Sequence, residues 1–449
     1  MNRAASIPVL TAVADAAWEA RLVAELTGSA LGVTVVRRCV DVADLLAVAA
    51  TGVAKVAVVS ADLRRLDRDA LARLNLAGVA VVGVVAVVGA ADEDADRRLR
   101  QLGVSAVVPR TADAAAVAAA ILAASARPAS ASAGFAVPGT PARTASPTSE
   151  PTETGGAASG APLEPGTGAL IAVWGPAGAP GRTSVAIGLT AEFGAQGRNP
   201  LLVDADVYGG TVSAHLGMLE ETPGLAAACR LANAGTLDLA RLAALARSCS
   251  GGMRVLPGIS RPARWPELRT AAFETVLDLC RSLASITVID CGFSLERDED
   301  LMYDTAAPQR NGATLAALAA ADTVVVVGSG DPVGISRVVR GLAELAEVVP
   351  GVRPQVVINR ARRVPVGGDP KKHVDAALSR YAGVVPAAYV PYDLAAHDAA
   401  VAAGRTVAEV APNSLARKAV GAFAGHLAGD QPTGTYLIGR RRFAKARRS

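Results

Sequence analysis

The strongest constraint on this chain is a repeated alternation of short β-branched runs with Ala- and Leu-rich stretches of helical length. It runs from residue 8 to about 124, stops, and resumes from about 169 to 428. Strands that alternate with helices are joined by crossovers, and crossovers make parallel sheets covered on both faces. In the first zone the strand-like runs are Pro8–Val13, Val33–Arg37, Lys55–Ser60, Val79–Val88 and Ser105–Pro109. The helical stretches between them are Ala16–Leu26, Asp41–Ala50, Asp67–Leu74, Asp92–Leu102 and Ala112–Ala124. The expected fold class is α/β, with two doubly wound parallel-sheet domains. A length of 449 residues accommodates them.

Residues 125–168 break the pattern. They are dominated by Ala, Ser, Thr, Pro and Gly, with almost no large apolar side chain, and so cannot build a core. The expected organisation is a domain over 1–124, a flexible linker over 125–168, a second domain over 169–428 and a basic tail over 429–449. With 51% hydrophobic residues, the chain as a whole is not a disordered one.

Other features exclude further classes. Five cysteines at wide spacings, with no CxxC, and four scattered histidines argue against a disulfide framework or a zinc site, and for a reducing cytoplasm. The N-terminus has no long apolar segment before Asp15, so it does not read as a signal peptide. The longest uncharged apolar run, Leu76–Ala91, is short of the ~20 residues a spanning helix needs. The net charge of +4 is unevenly placed. Arg440, Arg441, Arg442, Lys445, Arg447 and Arg448 crowd the last ten residues, which leaves 39 basic and 41 acidic residues elsewhere. Any nucleic-acid or lipid affinity therefore belongs to the tail. Beside Tyr436, Leu437, Ile438 and Phe443 the tail reads as a membrane contact at ~1 kcal/mol per cation, as a DNA contact, or as a solvated end.

In size and strand count the first domain resembles a receiver domain of two-component signalling. Phosphoryl acceptance there needs an acidic pair after strand 1, an Asp ending strand 3 and a Lys after strand 5. This chain has Asp15 alone, Ser60 with Asp62 two residues on, and Arg110. The acid cluster for Mg²⁺ is incomplete. The expectation is a pseudo-receiver used for protein contacts; the alternative is phosphorylation at Asp62.

The second domain opens with ALIAVWGPAGAPGRTSVAIGLT. A strand runs into a loop holding Gly175, Gly178 and Gly181, then Arg182, Thr183 and Ser184, then a helix. In such a loop, backbone N–H groups and the helix N-terminus cradle phosphates, and a hydroxyl, here Thr183, reaches Mg²⁺. The match to GxxxxGKS/T is imperfect. Arg182 stands at the lysine position, and Pro176 at the first glycine. Arginine is longer, forked and permanently charged, so the exchange is not neutral. On these residues alone the loop is either a phosphate cradle or a Gly/Pro-rich turn that starts an ordinary helix. Downstream, LLVDAD ends an apolar strand in Asp204 and Asp206, paired carboxylates that can orient an attacking water. SITVIDCG ends another strand in Asp290, a place for a Mg²⁺-binding carboxylate. Trp174, beside the loop, is read as core or as a nucleotide contact.

Taken in order, these pieces resemble the MinD/ParA family of deviant Walker ATPases over about 168–428, and within it the CpaE/TadZ-like branch, whose members carry a receiver-like domain first. The resemblance implies ATP and Mg²⁺ as ligands, with Gly178, Gly181, Arg182, Thr183 and Ser184 on the phosphates and Thr183 and Asp290 at the metal. It implies Asp206 as the hydrolysis-linked carboxylate with Asp204 beside it, Asn359 and Arg360 at adenine, and Pro391 and Asp393 in the loop flanking the base. It further implies a homodimer, protein partners of a pilus, secretion or positioning system, and a cytoplasmic site with peripheral membrane contact open to the tail. The departures bear on catalysis. The family's signature lysine is replaced by Ala177, and no lysine lies between 56 and 370 to replace it. Losing such a trans cation should weaken transition-state stabilisation, worth ~10³–10⁵ in rate for an arginine finger. Weak ATPase activity and a non-hydrolysing scaffold are both open. The polar insertion ERDEDLMYDTAAPQRNGAT is expected as a surface loop near the dimer face, where the main expectation gives Arg310 no role and the alternative makes it a cation.

Overall fold

The computed structural model describes residues 6–28, 31–86, 90–126, 168–218, 223–297, 307–362 and 369–429. Nearly all of the linker and tail, Val87 and Val88 of the fourth predicted strand, and the centre of the polar insertion lie outside them. The chain forms two compact units, built mainly from residues up to Glu164 and from Pro165 onward.

In the first unit the strands are β1 (Ile7–Ala12), β2 (Val33–Arg38), β3 (Val56–Ser60), β4 (Ala80–Val85) and β5 (Ala106–Pro109). The helices between and after them are α1 (Ala16–Gly28), α2 (Val42–Ala49), α3 (Arg68–Leu76), α4 (Ala90–Gln101) and α5 (Ala114–Ser125). All pairings are parallel, in the order β2-β1-β3-β4-β5. That is the flavodoxin-like doubly wound order. Both faces are covered, as the sequence implies. Leu10, Ala57 and Val59 pack with Leu71, Leu74 and Leu99. The alternate residues Val9, Val56 and Val58 pack with Trp18, Leu22, Val117 and Ile121. The predicted strand Val79–Val88 is shorter, ending at Val85. Helix starts follow the aspartates: Asp41, Asp67 and Asp113 each accept a backbone N–H three residues on.

The second unit holds β6 (Ala169–Trp174), β7 (Pro200–Ala205), β8 (Arg247–Ser248), β9 (Arg254–Leu256), β10 (Ile286–Cys291), β11 (Thr323–Ser329), β12 (Gln355–Ala361) and β13 (Ala388–Pro391). Its helices are α6 (Arg182–Ala195), α7 (Val212–His215), α8 (Gly224–Asn233), α9 (Leu239–Leu245), α10 (Thr270–Leu283), α11 (Gly312–Ala320), α12 (Pro332–Val348), α13 (Pro370–Ala382), α14 (Leu394–Ala403), α15 (Val407–Val410) and α16 (Leu415–Leu427). The sheet order is β13-β12-β11-β6-β10-β7-β9-β8, parallel except for the edge pair β8–β9. One face buries Ile171, Val173, Val288, Val325 and Val327 against Val185, Leu189 and Phe193 of α6 and Phe423 of α16. Helices α10, α11 and α12 pack on the other. Because β6 lies between β10 and β11, consecutive strands diverge at its C-terminal end. This is the crevice where doubly wound sheets take ligands. No helix among the described residues is long and apolar enough to cross a membrane.

Candidate functional site

The loop after β6 is shaped by glycines where no other residue fits. Gly178 and Gly181 have φ of 73° and 86°, in the left-handed region. A Cβ at Gly175 would run into the Val327 carbonyl oxygen on β11, and one at Gly181 into Nδ2 of Asn359. Gly181 precedes α6 without any side-chain cap, so the helix's first N–H groups have no side-chain oxygen from that position. The loop is tied down from β12, where Asn359 Nδ2 donates to the Pro180 carbonyl oxygen at 2.9 Å. Asn359 lies within a register shift against β13 between Ile358 and Ala361, and Arg360 beside it has φ of 52°.

Arg182 folds back into the loop it starts. Its Nη1 donates to the Gly175 carbonyl oxygen at 3.2 Å and its Nη2 to Asp206 Oδ2 at 3.4 Å. Three carboxylates gather beneath it, and all are buried. Asp290 on β10 and Asp204 on β7 are direct register partners, so their side chains share a face. Asp204 accepts from the N–H groups of Asp206 (3.3 Å) and Val212 (3.2 Å) and clamps the turn between them. Gly210 and Gly258 press on it, since a Cβ at Gly210 would lie 2.9 Å from its carboxylate. Burial pushes its pKa up to about 7, against the pull of the Val212 N–H, and the neighbouring Asp206 charge adds to the rise. Asp290 is raised well above the ordinary range, first by burial and then by Asp204, although the Thr183 hydroxyl and Arg182 act the other way. Neither Asp290 oxygen has a hydrogen-bond partner of good geometry, despite Thr183 lying nearby.

That orphaned carboxylate is the test of fit for a divalent cation. Among the described residues no group of three or more Asp, Glu, His or Cys side chains could hold a metal alone. Mg²⁺ does not ask for one: it is commonly held by one or two carboxylates, with water and substrate phosphates completing its shell. Asp290 and Thr183 supply that donor set, so the residues fit.

Asp206 Oδ1 accepts from the N–H groups of Tyr208 (2.9 Å) and Gly209 (3.3 Å). The Tyr208 ring is held by Phe293 at 4.7 Å between centroids and by the Arg310 guanidinium 4.2 Å from its centroid. Its hydroxyl donates to Asn311 Oδ1 at 2.8 Å, and Asn311 Nδ2 donates on to Ser294 Oγ and the Glu296 carbonyl oxygen. Arg310 is thus engaged with the turn that carries Asp206. Trp174 is fully buried and its indole N–H donates to the Phe293 carbonyl oxygen at 3.1 Å, so it is core. Pro391 ends β13. Asp393 caps α14 and accepts from Ser414 Oγ at 2.7 Å. Ser184 sits in the first turn of α6.

Arg182, Thr183, Asp204, Asp206, Asp290 and Asn359 therefore converge on one edge of the sheet. Sequence reasoning missed Tyr208 and Asn311. It also missed Arg337 of α12, whose guanidinium touches the loop at Gly178. The sequence places no lysine near Ala177, and the packing of α12 brings the Arg337 guanidinium to this part of the loop.

In the first unit, Arg110 Nη1 lies 3.3 Å from Asp15 Oδ2 and its Nη2 3.7 Å from Asp62 Oδ2. Ser60 is buried, and its hydroxyl accepts the Ala14 N–H at 3.0 Å.

No protein-family model matches the sequence, and no curated protein matches it. Several solved structures are similar to part of the chain. The cell division ATPase MinD of Pyrococcus furiosus is 19% identical, with 58% of this chain and 99% of that chain covered and a TM-score of 0.46. The septum site-determining protein MinD of Pyrococcus horikoshii OT3, complexed with Mg-ADP, is 18% identical over 58% and 95%, with a TM-score of 0.46. A ParA family ATPase of Chlorobium tepidum TLS is 16% identical over 57% and 99%, with a TM-score of 0.48.

Proposed function

We propose that the second unit binds ATP with Mg²⁺ on the loop 175–184, and that the protein is a MinD/ParA-type switch of the CpaE-like branch. The single observation that carries this is Asp290, a buried carboxylate with no hydrogen-bond partner of good geometry, at the end of a central strand and beside the first turn of α6. A buried charge without a partner costs several kcal/mol unless a cation or a proton meets it. When bound, Mg²⁺ would neutralise phosphate charge. Thr183 would ligate it directly and Asp290 through water. Arg182 would hold phosphate oxygens, Asp206 would orient a water, and Asp204 would keep the Asp206 turn in place. Asn359, Arg360, Pro391 and Asp393 would flank the base. Nucleotide would control dimerisation, and the dimer would recruit protein partners of a pilus, secretion or positioning system. The first unit would act as a pseudo-receiver for protein contacts, and the basic tail would supply contact with anionic lipid.

The test is equilibrium binding of Mg²⁺–ATP to the full chain, with turnover measured alongside, for wild type, Arg182→Ala and Asp290→Ala. Binding lost in both variants, with turnover in wild type, is the expected result. The second reading is a nucleotide-bound scaffold without hydrolysis. It is favoured by Ala177 and by the engagement of Arg182 with Asp206, and it predicts binding without turnover. No binding by wild type at millimolar ATP would remove both.

A further inference from the structure

We propose that Arg337 binds the outer phosphates of the nucleotide from within the same chain, in place of the cation that Ala177 withholds. The inference rests on the reading of the loop 175–184 as a nucleotide site. Three observations carry it. First, the Arg337 guanidinium lies against Gly178 so closely that a Cβ there would collide with Nη1. Gly178 is the left-handed residue beside Ala177, at the part of the loop where a phosphate cradle needs charge. Second, the approach is built into the helix. Gly341 lies one turn further along α12, and a Cβ on it would sit 3.1 Å from both Pro176 and Trp174. A side chain there would press on the start of the loop, so glycine lets the helix lie this near, and residues four apart share a helix face. The close contact at Gly341 therefore carries Arg337 over Gly178. Third, Arg337 is exposed, and among the described residues no hydrogen bond or ion pair holds its guanidinium. Arg182, by contrast, is tied to Gly175 and Asp206.

A planar guanidinium free to present two N–H groups suits phosphate oxygens. Its reach should depend on how many phosphates the ligand carries. The experiment measures binding of ATP, ADP and AMP, each with Mg²⁺, to the full chain as wild type, Arg337→Ala, Arg337→Lys, and Arg340→Ala as an exposed control on the same helix. For Arg337→Ala the expected result is about a tenfold loss for ATP, the scale of one charge-assisted hydrogen bond. The loss should be smaller for ADP and absent for AMP. Arg337→Lys should recover most of it, and Arg340→Ala should match wild type. Arg337→Ala binding ATP as wild type does would overturn the proposal and leave the nucleotide site standing. Equal losses for ATP and AMP would also overturn it, because they would mark a change in loop shape. Wild type that binds none of the three would remove the site itself.

Discussion

The C-terminal edges of the two sheets solve the same electrostatic problem with opposite results. In the first unit two carboxylates, Asp15 and Asp62, face one arginine, Arg110, in a setting open to water. The N–H of Trp18 lowers the Asp15 pKa, and Arg110 adds to that. One negative charge is left over there, where water screens it, and the position that would accept a phosphoryl group holds a buried serine. In the second unit three buried carboxylates face one arginine, and the third, Asp290, has no hydrogen-bond partner of good geometry. The comparison teaches that counting acids does not identify a cation site. What separates the edges is burial together with the imbalance that remains after the arginine is counted.

The largest expected effect concerns acidity. A carboxyl whose folded-state pKa lies above its unfolded value of 3.8 holds its proton more strongly in the folded state. Between those two values the folded chain binds more protons, so stability falls as pH rises. For Asp204 that window runs from 3.8 to about 7. Asp290, raised by the same burial and by Asp204, adds to the fall, which is roughly 1 kcal/mol per pH unit for each proton released on unfolding. Denaturant unfolding in a chelating buffer between pH 4 and 7 measures this. Asp204→Asn should reduce the slope, and a slope unchanged by that substitution would place Asp204 with the solvent-exposed carboxylates of the first unit.

Next in size is Asp290→Asn. Replacing an unpartnered buried carboxylate with a neutral isostere should stabilise the ligand-free protein by roughly 1–3 kcal/mol at pH 7.5. It should also abolish any rise in Tm on adding Mg²⁺–ATP. A destabilised variant would mean that Asp290 has a partner after all. Tyr208→Phe should cost about 1 kcal/mol, the worth of one hydrogen bond, here to Asn311. The smallest effects belong to the first unit. Wild type should take no label from a small phosphodonor, and Arg110→Ala should shift the unfolding midpoint only slightly. Labelling of wild type that Asp62→Ala removes would break the comparison by giving the first edge a chemistry of its own.

The fold was legible because most strands are apolar runs rich in β-branched residues and many helices start at an Asp, Ser or Thr cap. Site residues at strand ends, such as Asp206 and Asp290, were legible for the same reason, since a parallel sheet brings its C-terminal ends together whatever the loops do. Less visible were residues whose role depends on how closely two elements approach. Arg337 looks like any exposed helical arginine until Gly341 brings its helix onto the loop. Asn311 follows the polar insertion, and nothing in its neighbours indicates the Tyr208 hydroxyl. The antiparallel edge pair β8–β9 is too short, at two and three residues, to show any periodicity.

The position of Arg182 has one more consequence. Before any ligand enters, its guanidinium already serves the Gly175 carbonyl and the Asp206 carboxylate with separate N–H arms. A phosphate bound as proposed would have to share that cation with Asp206 or take it over. If it took it over, Asp206 would lose its counterion, and the Tyr208 turn that Asp206 holds would respond without touching the ligand. The apparent affinity would then be reduced by the fraction of molecules in which Arg182 is free. A lysine, with its single ammonium, could not reach the Gly175 carbonyl and Asp206 with two separate N–H arms. Under that reading the replacement would turn a phosphate anchor into a sensor with its own resting state.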